Sequence, residues 1–285
     1  MHRPYVVSAD IQLLVKEWAI RRGFTPPGSG FMSELRKEFD LFMRGIFPSF
    51  ELVPEVELAD GLAVLVARTG LPPISLDRVY FRSADQLDIA RYVDANGNDR
   101  GLGRRHGTPP LFQQFKKIAE TGVREAVLVD DVIFTGELLE RIIHCLSRVG
   151  VRAPVVCAGI GIGEGVSRIN HTQREVRCVR IYEEVIDEIC ERDFYPGVPF
   201  AGRSLARDGA SGVPYLLPFG NPGKWASIPR EWEWRFSEFC LGQTIWLFEE
   251  IERRSNRIVA CSDLDRAVIG LPRDSTRFVD ALRSL

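Results

Sequence analysis

The residues best placed to do chemistry lie in one segment, Val127–Leu139 (VLVDDVIFTGELL). Apolar residues lead into two adjacent acids, Asp130 and Asp131, and the pair Thr135–Gly136 then opens a helix pattern. A loop that enters a helix N-terminus directs several backbone N–H groups and the positive end of the helix dipole at one point, which favours phosphate. Two carboxylates beside a phosphate are reasonable if they hold sugar hydroxyls, or Mg²⁺ through its waters. The structural alternative is a buried strand, an Asp-rich turn and a capped helix.

This segment resembles the signature with which type I phosphoribosyltransferases bind phosphoribosyl pyrophosphate (PRPP). The resemblance implies that Asp130 and Asp131 contact the ribose 2- and 3-hydroxyls and hold Mg²⁺ through water. It also implies that the loop residues cradle the 5-phosphate; the whole predicted site is Asp130, Asp131, Val132, Ile133, Phe134, Thr135, Gly136, Glu137 and Leu138. The chain departs from the family at Leu138, where Thr or Ser is usual, and at the bulky Phe134. These departures predict weaker PRPP binding or a related ligand.

Basic residues elsewhere suggest where a pyrophosphate would lie. In the family its loop follows the first core strand, which places it here at Pro54–Gly61, a segment without basic character. A rival placement is Arg68–Gly70, and the other candidate pyrophosphate contacts are Arg82 and Arg100.

Residues 84–108 are polar and glycine-rich, and we expect a long loop there. By position it corresponds to the family's flexible catalytic loop. Arg104 and Arg105, with Arg100 and His106, would then stabilise the charge on a departing pyrophosphate. The alternative is a solvated, disordered connection.

Aromatic residues cluster beyond the predicted core, and the resemblance implies that a base is recognised in a variable hood. Side chains that could stack on a planar ring are Phe194, Tyr195, Tyr215, Phe219 and Trp225. The alternative is that they cover the hydrophobic face of the sheet. The segments 190–203 and 213–229 also resemble a phosphoribosyltransferase-like group from bacterial stress or conflict-defence gene clusters, to which no reaction is attached.

The pattern of apolar residues predicts an α/β fold with a parallel sheet. Its predicted strands are 49–53, 77–83, 125–129, 153–160 and 176–181, and its predicted helices are 9–22, 33–43, 57–69, 111–121, 137–148, 231–254 and 275–282. Four alternating glycines at 159–165 predict a turn at a strand end near the base site. A phosphoribosyltransferase-like core over residues 46–190 would carry a hood or cap made of helical residues 1–45 and aromatic-rich residues 191–285.

Composition narrows the partners. The chain of 285 residues has a net charge of −2, 45% hydrophobic and 27% charged residues. The net charge argues against nucleic acid as the main ligand. No apolar run approaches the roughly 18 residues of a membrane helix, which argues against a membrane protein. Six scattered cysteines without a CxxC pair indicate reduced thiols in a cytoplasmic protein.

The predicted function is phosphoribosyl transfer from PRPP to a nitrogenous base or other acceptor, with Mg²⁺ as cofactor and pyrophosphate as product. One alternative is a non-catalytic PRPP or nucleotide sensor that gates a partner. Another is a PRPP or nucleotide hydrolase acting as an effector in a bacterial defence system. The expected partners are a small-molecule substrate and either a second copy of the chain or another protein.

Overall fold

The computed structural model describes residues 3–94, 98–206 and 211–285. Asn96 and Gly97, which belong to the predicted polar loop, lie outside the described residues. The strands are β1 (Tyr5–Ser8), β2 (Phe50–Val53), β3 (Pro73–Ser75), β4 (Asp85–Gln86), β5 (Ile89–Val93), β6 (Asp99–Arg104), β7 (Glu125–Ile133), β8 (Arg152–Ile162), β9 (Glu175–Tyr182), β10 (Asp187–Cys190), β11 (Arg203–Leu205) and β12 (Gly212–Val213).

The α-helices include one long helix in each terminal part of the chain. They are α1 (Ile11–Arg22), α2 (Ser29–Ile46), α3 (Glu55–Ala67), α4 (Leu111–Glu120), α5 (Glu137–Arg148), α6 (Gly163–His171), α7 (Pro222–Trp225), α8 (Glu233–Ser255) and α9 (Phe278–Arg283). No helix among the described residues combines the length and apolar character that a membrane span requires.

Two compact units divide the chain. The sheet unit comprises Val53–Ala90 and Leu102–Val185, and the terminal unit comprises Met1–Leu52, Arg91–Gly101 and Ile186–Leu285. The predicted assignment of residues 1–45 and 191–285 to a hood stays a prediction.

The sheet unit is built on a five-stranded sheet in the order β4-β3-β7-β8-β9. All of its strand pairs are parallel. Alternate residues of β7 and β8, such as Leu128 and Val156, enter a core shared with Ile118, Ile142 and Ile169 of the three helices α4, α5 and α6. This is the α/β fold with a parallel sheet that the sequence predicts.

Helix α5 forms where its apolar stripe predicts it. Leu139, Ile142, Ile143 and Leu146 recur at intervals of three and four residues and are buried. Just beyond its last residue, Gly150 adopts a φ of +82°, and its N–H donates to the carbonyl of Ser147. Such left-handed glycines end helices because they lack a Cβ.

The chain has two further sheets, a three-stranded one, β10-β1-β2, and a four-stranded one, β12-β11-β5-β6. The core of the terminal unit is aromatic: Phe194 packs edge-on against Phe236 and tilted against Phe39. At the N-terminus of α1, the fully buried carboxylate of Glu191 accepts bonds from the backbone N–H groups of Asp10 and Ile11. It also accepts a bidentate pair of bonds from Arg36. A buried carboxylate is tolerated when every oxygen is satisfied in this way.

Three sequence expectations are wrong at the level of strands. The predicted strand 49–53 is present as β2, but it belongs to the three-stranded sheet and not to the five-stranded one. Residues 77–83 form no strand, and the first strand of the parallel sheet is Pro73–Ser75. The predicted loop 84–108 instead contains β4, β5 and β6.

The failure at 77–83 has a local cause. The carboxylate of Asp77 accepts hydrogen bonds from the backbone N–H groups of Val79, Tyr80 and Phe81, at 2.6–2.7 Å. An Asp side chain that bonds its own neighbours competes with a strand ladder for the same donors. The alternating aromatic and β-branched residues therefore wrap around a carboxylate.

Packing of α3 on the sheet provides a first test. A Cβ at Gly61 would lie 2.6 Å from both methyl groups of Val179 on β9. We expect Gly61→Ala to lower the free energy of unfolding by about 1–3 kcal/mol, as overpacked sites do. Gly45→Ala is the matched helical control because nothing lies within 4 Å of its Cβ position. It should be neutral or stabilise by up to about 1 kcal/mol. Urea denaturation of both variants measures the difference, and equal shifts would contradict the packing argument.

Candidate functional site

The predicted acid pair lies at the carboxyl end of β7, inside the strand and not after it. Asp130 is only 7% exposed and stands opposite Ala158 of β8, while Asp131 is half-buried. The pairing continues to Ile133. Each carboxylate bends back on the chain: the N–H of Asp131 donates to Asp130 Oδ1 at 3.0 Å, and the N–H of Val132 donates to Asp131 Oδ1 at 2.9 Å. The strand thus fixes both acids at the sheet edge where parallel α/β folds bind ligands.

A third carboxylate, Asp77, joins this edge from the neighbouring strand. β3 lies beside β7, and the N–H of Leu76 donates to the carbonyl of Val129 at 2.8 Å. Burial and then the charge of Asp131 raise the pKa of Asp77 to about 6, although three backbone N–H groups oppose the shift. No motif in the sequence singles out this residue, and its one signal is an acid just after a short apolar run.

The charge of Asp131 disfavours the charged forms of Asp77 and Asp130. Burial, followed by the charge of Asp131 and that of Asp77, raises the pKa of Asp130 well above its usual range. Strongly perturbed carboxyl groups that meet at one edge of a fold are typical of functional sites. Among the residues that the structure describes, no group of three or more acidic, histidine or cysteine side chains has the arrangement of a direct metal site.

The loop between β7 and α5 presents backbone donors. Gly136 occupies the N-cap position with a φ of +77°, and no side chain of the described residues caps the helix there. Thr135 is half-buried, and Glu137 points to solvent. Because the first N–H groups of a helix have no partner within it, this end of α5 can receive an anion.

Leu138 has a structural role. Its side chain is partly buried and packs against the core of the sheet unit. The first turn of α5 therefore has an apolar contact at this position, where a Thr or Ser would offer a hydroxyl.

The alternating glycines hold this loop in place and do not form the predicted turn. Gly159 and Gly161 lie within β8, and Gly163 begins α6. A Cβ at Gly165 would lie 2.3 Å from the carbonyl oxygen of Phe134, and one at Gly159 would lie 2.8 Å from that of Asp131. The backbones approach so closely that only glycine fits.

Basic residues follow the first strand of the parallel sheet, β3. Pro54–Gly61, the predicted pyrophosphate loop, follows β2, which lies in a different sheet. The segment after β3 carries Arg78 and Arg82. Arg78 forms an ion pair with Asp88, and Arg82 Nε donates to the carbonyl of Arg78 at 2.8 Å.

Arg68 does not join this group. It follows α3 and leads into the amino end of β3. The strands are parallel, so Arg68 lies at the sheet edge opposite the acid pair.

The predicted catalytic arginines follow a strand and do not lie on a free loop. Arg104 ends β6, and its Nη1 donates to the carbonyl of Thr108 at 2.8 Å. The N–H of Arg105 donates to the carbonyl of Asp88 at 2.9 Å, so the chain returns to the end of β4. Arg100 belongs to the terminal unit, where it pairs with Asp94 at 2.7 Å.

The aromatic residues predicted to hold a base differ in exposure. Phe194 and Tyr195 are 0% and 1% exposed, so they are core residues and cannot stack on a ligand without opening the core. Tyr215 is also buried, and its hydroxyl accepts a bond from Arg203 Nε at 3.0 Å. Trp225 is half-buried and packs edge-on against Tyr215, and Phe219 is half-buried as well.

Comparison with known proteins adds little. Neither a protein-family model nor a curated protein sequence matches the chain. Among solved structures, the chain is similar to the orotate phosphoribosyltransferase from Aeropyrum pernix, with 18% identity over 44% of this chain and 69% of that one and a TM-score of 0.27. The UMP synthase of Leishmania donovani is 13% identical over 45% of this chain and 27% of that one, with a TM-score of 0.28. The adenine phosphoribosyltransferase from Thermoanaerobacter pseudethanolicus is 10% identical over 44% of this chain and 80% of that one, with a TM-score of 0.26. At these TM-scores we draw no conclusion from the likeness.

The crowded acids predict a pH-dependent stability. The pKa of Asp77 and that of Asp130 are raised in the folded chain, so the folded state binds more protons than the unfolded one above the usual carboxyl pKa. Their contribution is therefore fully present below about pH 4 and is lost as the pH rises through the folded pKa. Asp130→Asn removes part of this loss, and its stability relative to the wild type should increase from about pH 4 to 7. Urea denaturation across that range, with Glu125→Gln at the other end of β7 as control, tests this. A pH-independent difference for Asp130→Asn would contradict it.

Proposed function

We propose that the sheet unit binds PRPP through Val127–Leu139 and transfers its 5-phosphoribosyl group to a nitrogenous acceptor, with Mg²⁺ and release of pyrophosphate. One observation carries the proposal: a buried strand brings two acids to the ligand edge of a parallel sheet, directly before a helix N-terminus that no described side chain caps. Neither feature alone is specific, but a sugar phosphate needs both.

Asp130 and Asp131 would accept hydrogen bonds from the ribose hydroxyls. Hydroxyl donors favour the charged carboxylate and so offset the repulsion that raises the pKa of Asp130. Carboxylate oxygens also suit Mg²⁺, which keeps most of its waters and binds proteins through one or two carboxylates. Bound there, the ion would neutralise charge on the pyrophosphate, while this chain's acids hold the ribose in position.

The end of α5 would hold the 5-phosphate. Backbone N–H groups from Thr135 to Leu138 and the Thr135 hydroxyl supply the donors, and Gly136 allows the close approach. Fixing both ends of the ribose phosphate positions its anomeric carbon, and positioning is the main contribution a protein makes to a reaction with an oxocarbenium-like transition state.

Arginines would stabilise the leaving pyrophosphate. Arg78 and Arg82 follow β3, next to Asp77, and Arg104 and Arg105 follow β6. Positive charge placed where negative charge develops lowers the barrier more than it strengthens ground-state binding.

A non-catalytic sensor is the second candidate. The apolar packing of Leu138 favours it, because one donor to the 5-phosphate is missing where an efficient enzyme needs tight positioning. A sensor would bind PRPP and release no pyrophosphate.

Calorimetric titration of PRPP with Mg²⁺, with phosphorus NMR on the same sample, tests the proposal directly. Release of pyrophosphate to water shows a competent phosphoribosyl site, and release that an added nitrogenous base accelerates supports the transferase. Binding without release, with or without a base, supports the sensor. Absence of binding would overturn both candidates.

The acid pair has a specific test. Asp130→Asn combined with Asp131→Asn should abolish ribose 5-phosphate and PRPP binding, because both hydroxyl acceptors lose their charge. Glu125→Gln, on the same strand at the opposite sheet edge, should bind as the wild type does. Circular dichroism checks that the fold persists, and unchanged affinity in the double variant would sink the assignment.

The arginines at the end of β6 act on a different step. Arg104→Ala with Arg105→Ala should slow turnover by about tenfold or more while weakening nucleoside monophosphate binding much less. Single-turnover rates and calorimetry separate the two effects. An equal loss in both would mean that these arginines bind ligand in the ground state only.

A further inference from the structure

An arginine from α6 reaches the N-terminus of α5. The Cδ atom of Arg168 would lie 3.2 Å from a Cβ placed on Gly136, so its side chain crosses the loop that the proposed function assigns to the 5-phosphate. It reaches this position because Gly165, one turn earlier on α6, sits against the carbonyl of Phe134.

The guanidinium of Arg168 is held only loosely. Three carboxylates surround it: Glu140 at 3.5 Å, Glu164 at 3.8 Å and Glu137 at 3.9 Å. Its buried Nε atom has no hydrogen-bond partner among the described residues. These distances lie at or beyond the limit of a hydrogen bond, and they leave the donors of the guanidinium largely unused.

Other arginines of the same unit show what a fixed pair looks like. Arg177 binds both oxygens of Glu175 at 2.7 and 3.0 Å, and Arg180 forms a bidentate pair with Glu57. Arg168 forms no such pair, although three carboxylates are within reach. A side chain that only tied α6 to α5 would be expected to close on one of them.

We propose that Arg168 is a ligand-binding residue for the 5-phosphate and exchanges its carboxylate neighbours for the phosphate oxygens when ligand binds. The assignment rests on the proposed function. A guanidinium fork matches phosphate geometry and can supply two charge-assisted bonds. It thereby replaces the hydroxyl contact that Leu138 cannot make, and it explains how a loop with acidic residues in its first helical turn accepts an anion.

Two roles for Arg168 predict different affinities in variants of Arg168 and Glu140. In one role Arg168 binds phosphate, and in the other it only links α6 to α5. If Arg168 binds phosphate, Arg168→Gln should weaken ribose 5-phosphate binding by about tenfold or more. Glu140→Gln should leave the affinity unchanged or raise it, because it removes a competing carboxylate. If the Arg168–Glu140 pair only links α6 to α5, both variants should weaken binding to the same extent. Arg141→Gln, on the exposed face of α5, is the matched control.

The titrations use the full chain with Mg²⁺ and ribose 5-phosphate, and thermal unfolding checks each variant. Leu138→Thr in the Arg168→Gln background should recover part of the lost affinity by restoring a hydroxyl. Wild-type affinity in Arg168→Gln, or equal losses in Arg168→Gln and Glu140→Gln, would overturn the role of Arg168 and leave the proposed function standing. Absence of binding by the wild type would overturn both.

Discussion

Backbone contact between α6 and the β7–α5 loop constrains the whole candidate site. At Gly165 the helix backbone meets the carbonyl of Phe134 so closely that a single added carbon would collide with it. A second such contact joins Gly159 of β8 to the carbonyl of Asp131. The shape of the loop therefore depends on the segment that follows it as much as on its own residues. Gly136, with its left-handed φ, completes a path that larger residues cannot follow.

The acids at the carboxyl end of β7 destabilise the folded chain when they are charged, and the fold alone does not offset this. Burying Asp130 beside two other carboxylates raises its pKa and disfavours its charged form. Asp77 is partly compensated by three backbone N–H groups, whereas Asp130 accepts one such bond, from the N–H of Asp131. Natural chains tolerate such local conflict mainly where function requires it. Sugar hydroxyls and a hydrated cation would relieve the same repulsion, so ligand and fold would favour each other.

The sequence predicts strands β7, β8 and β9 of the five-stranded sheet but not β3 and β4. β8 and α5 were predictable because a long apolar run and a regular helical stripe are local signals. β6, whose residues are DRGLGR, has neither an apolar run nor an alternating pattern, so its sequence predicts a loop. β2 was recognised as a strand but placed in the wrong sheet, because strand pairing depends on distant residues that no local pattern reveals.

The candidate site divided in the same way. The acid pair and Gly136 could be found from spacing within one segment. Asp77 and Arg168 could not, because they reach that segment from other elements. Phe194 and Tyr195 were misjudged because an aromatic residue in an irregular segment has the same sequence signature in a core as at a ligand surface.

The strand order also governs how the sheet can assemble. β7, β8 and β9 follow one another along the chain, joined by single helices, so this half can form through contacts between neighbouring segments. β3 lies between β4 and β7, and its Ile74 pairs with Leu128 although β4, β5, β6 and α4 separate the two residues along the chain. Closing that long loop costs chain entropy before the three-residue strand returns any contact. Asp77 should therefore meet Asp131 only late in folding, after the loop between β7 and α5 has taken its shape.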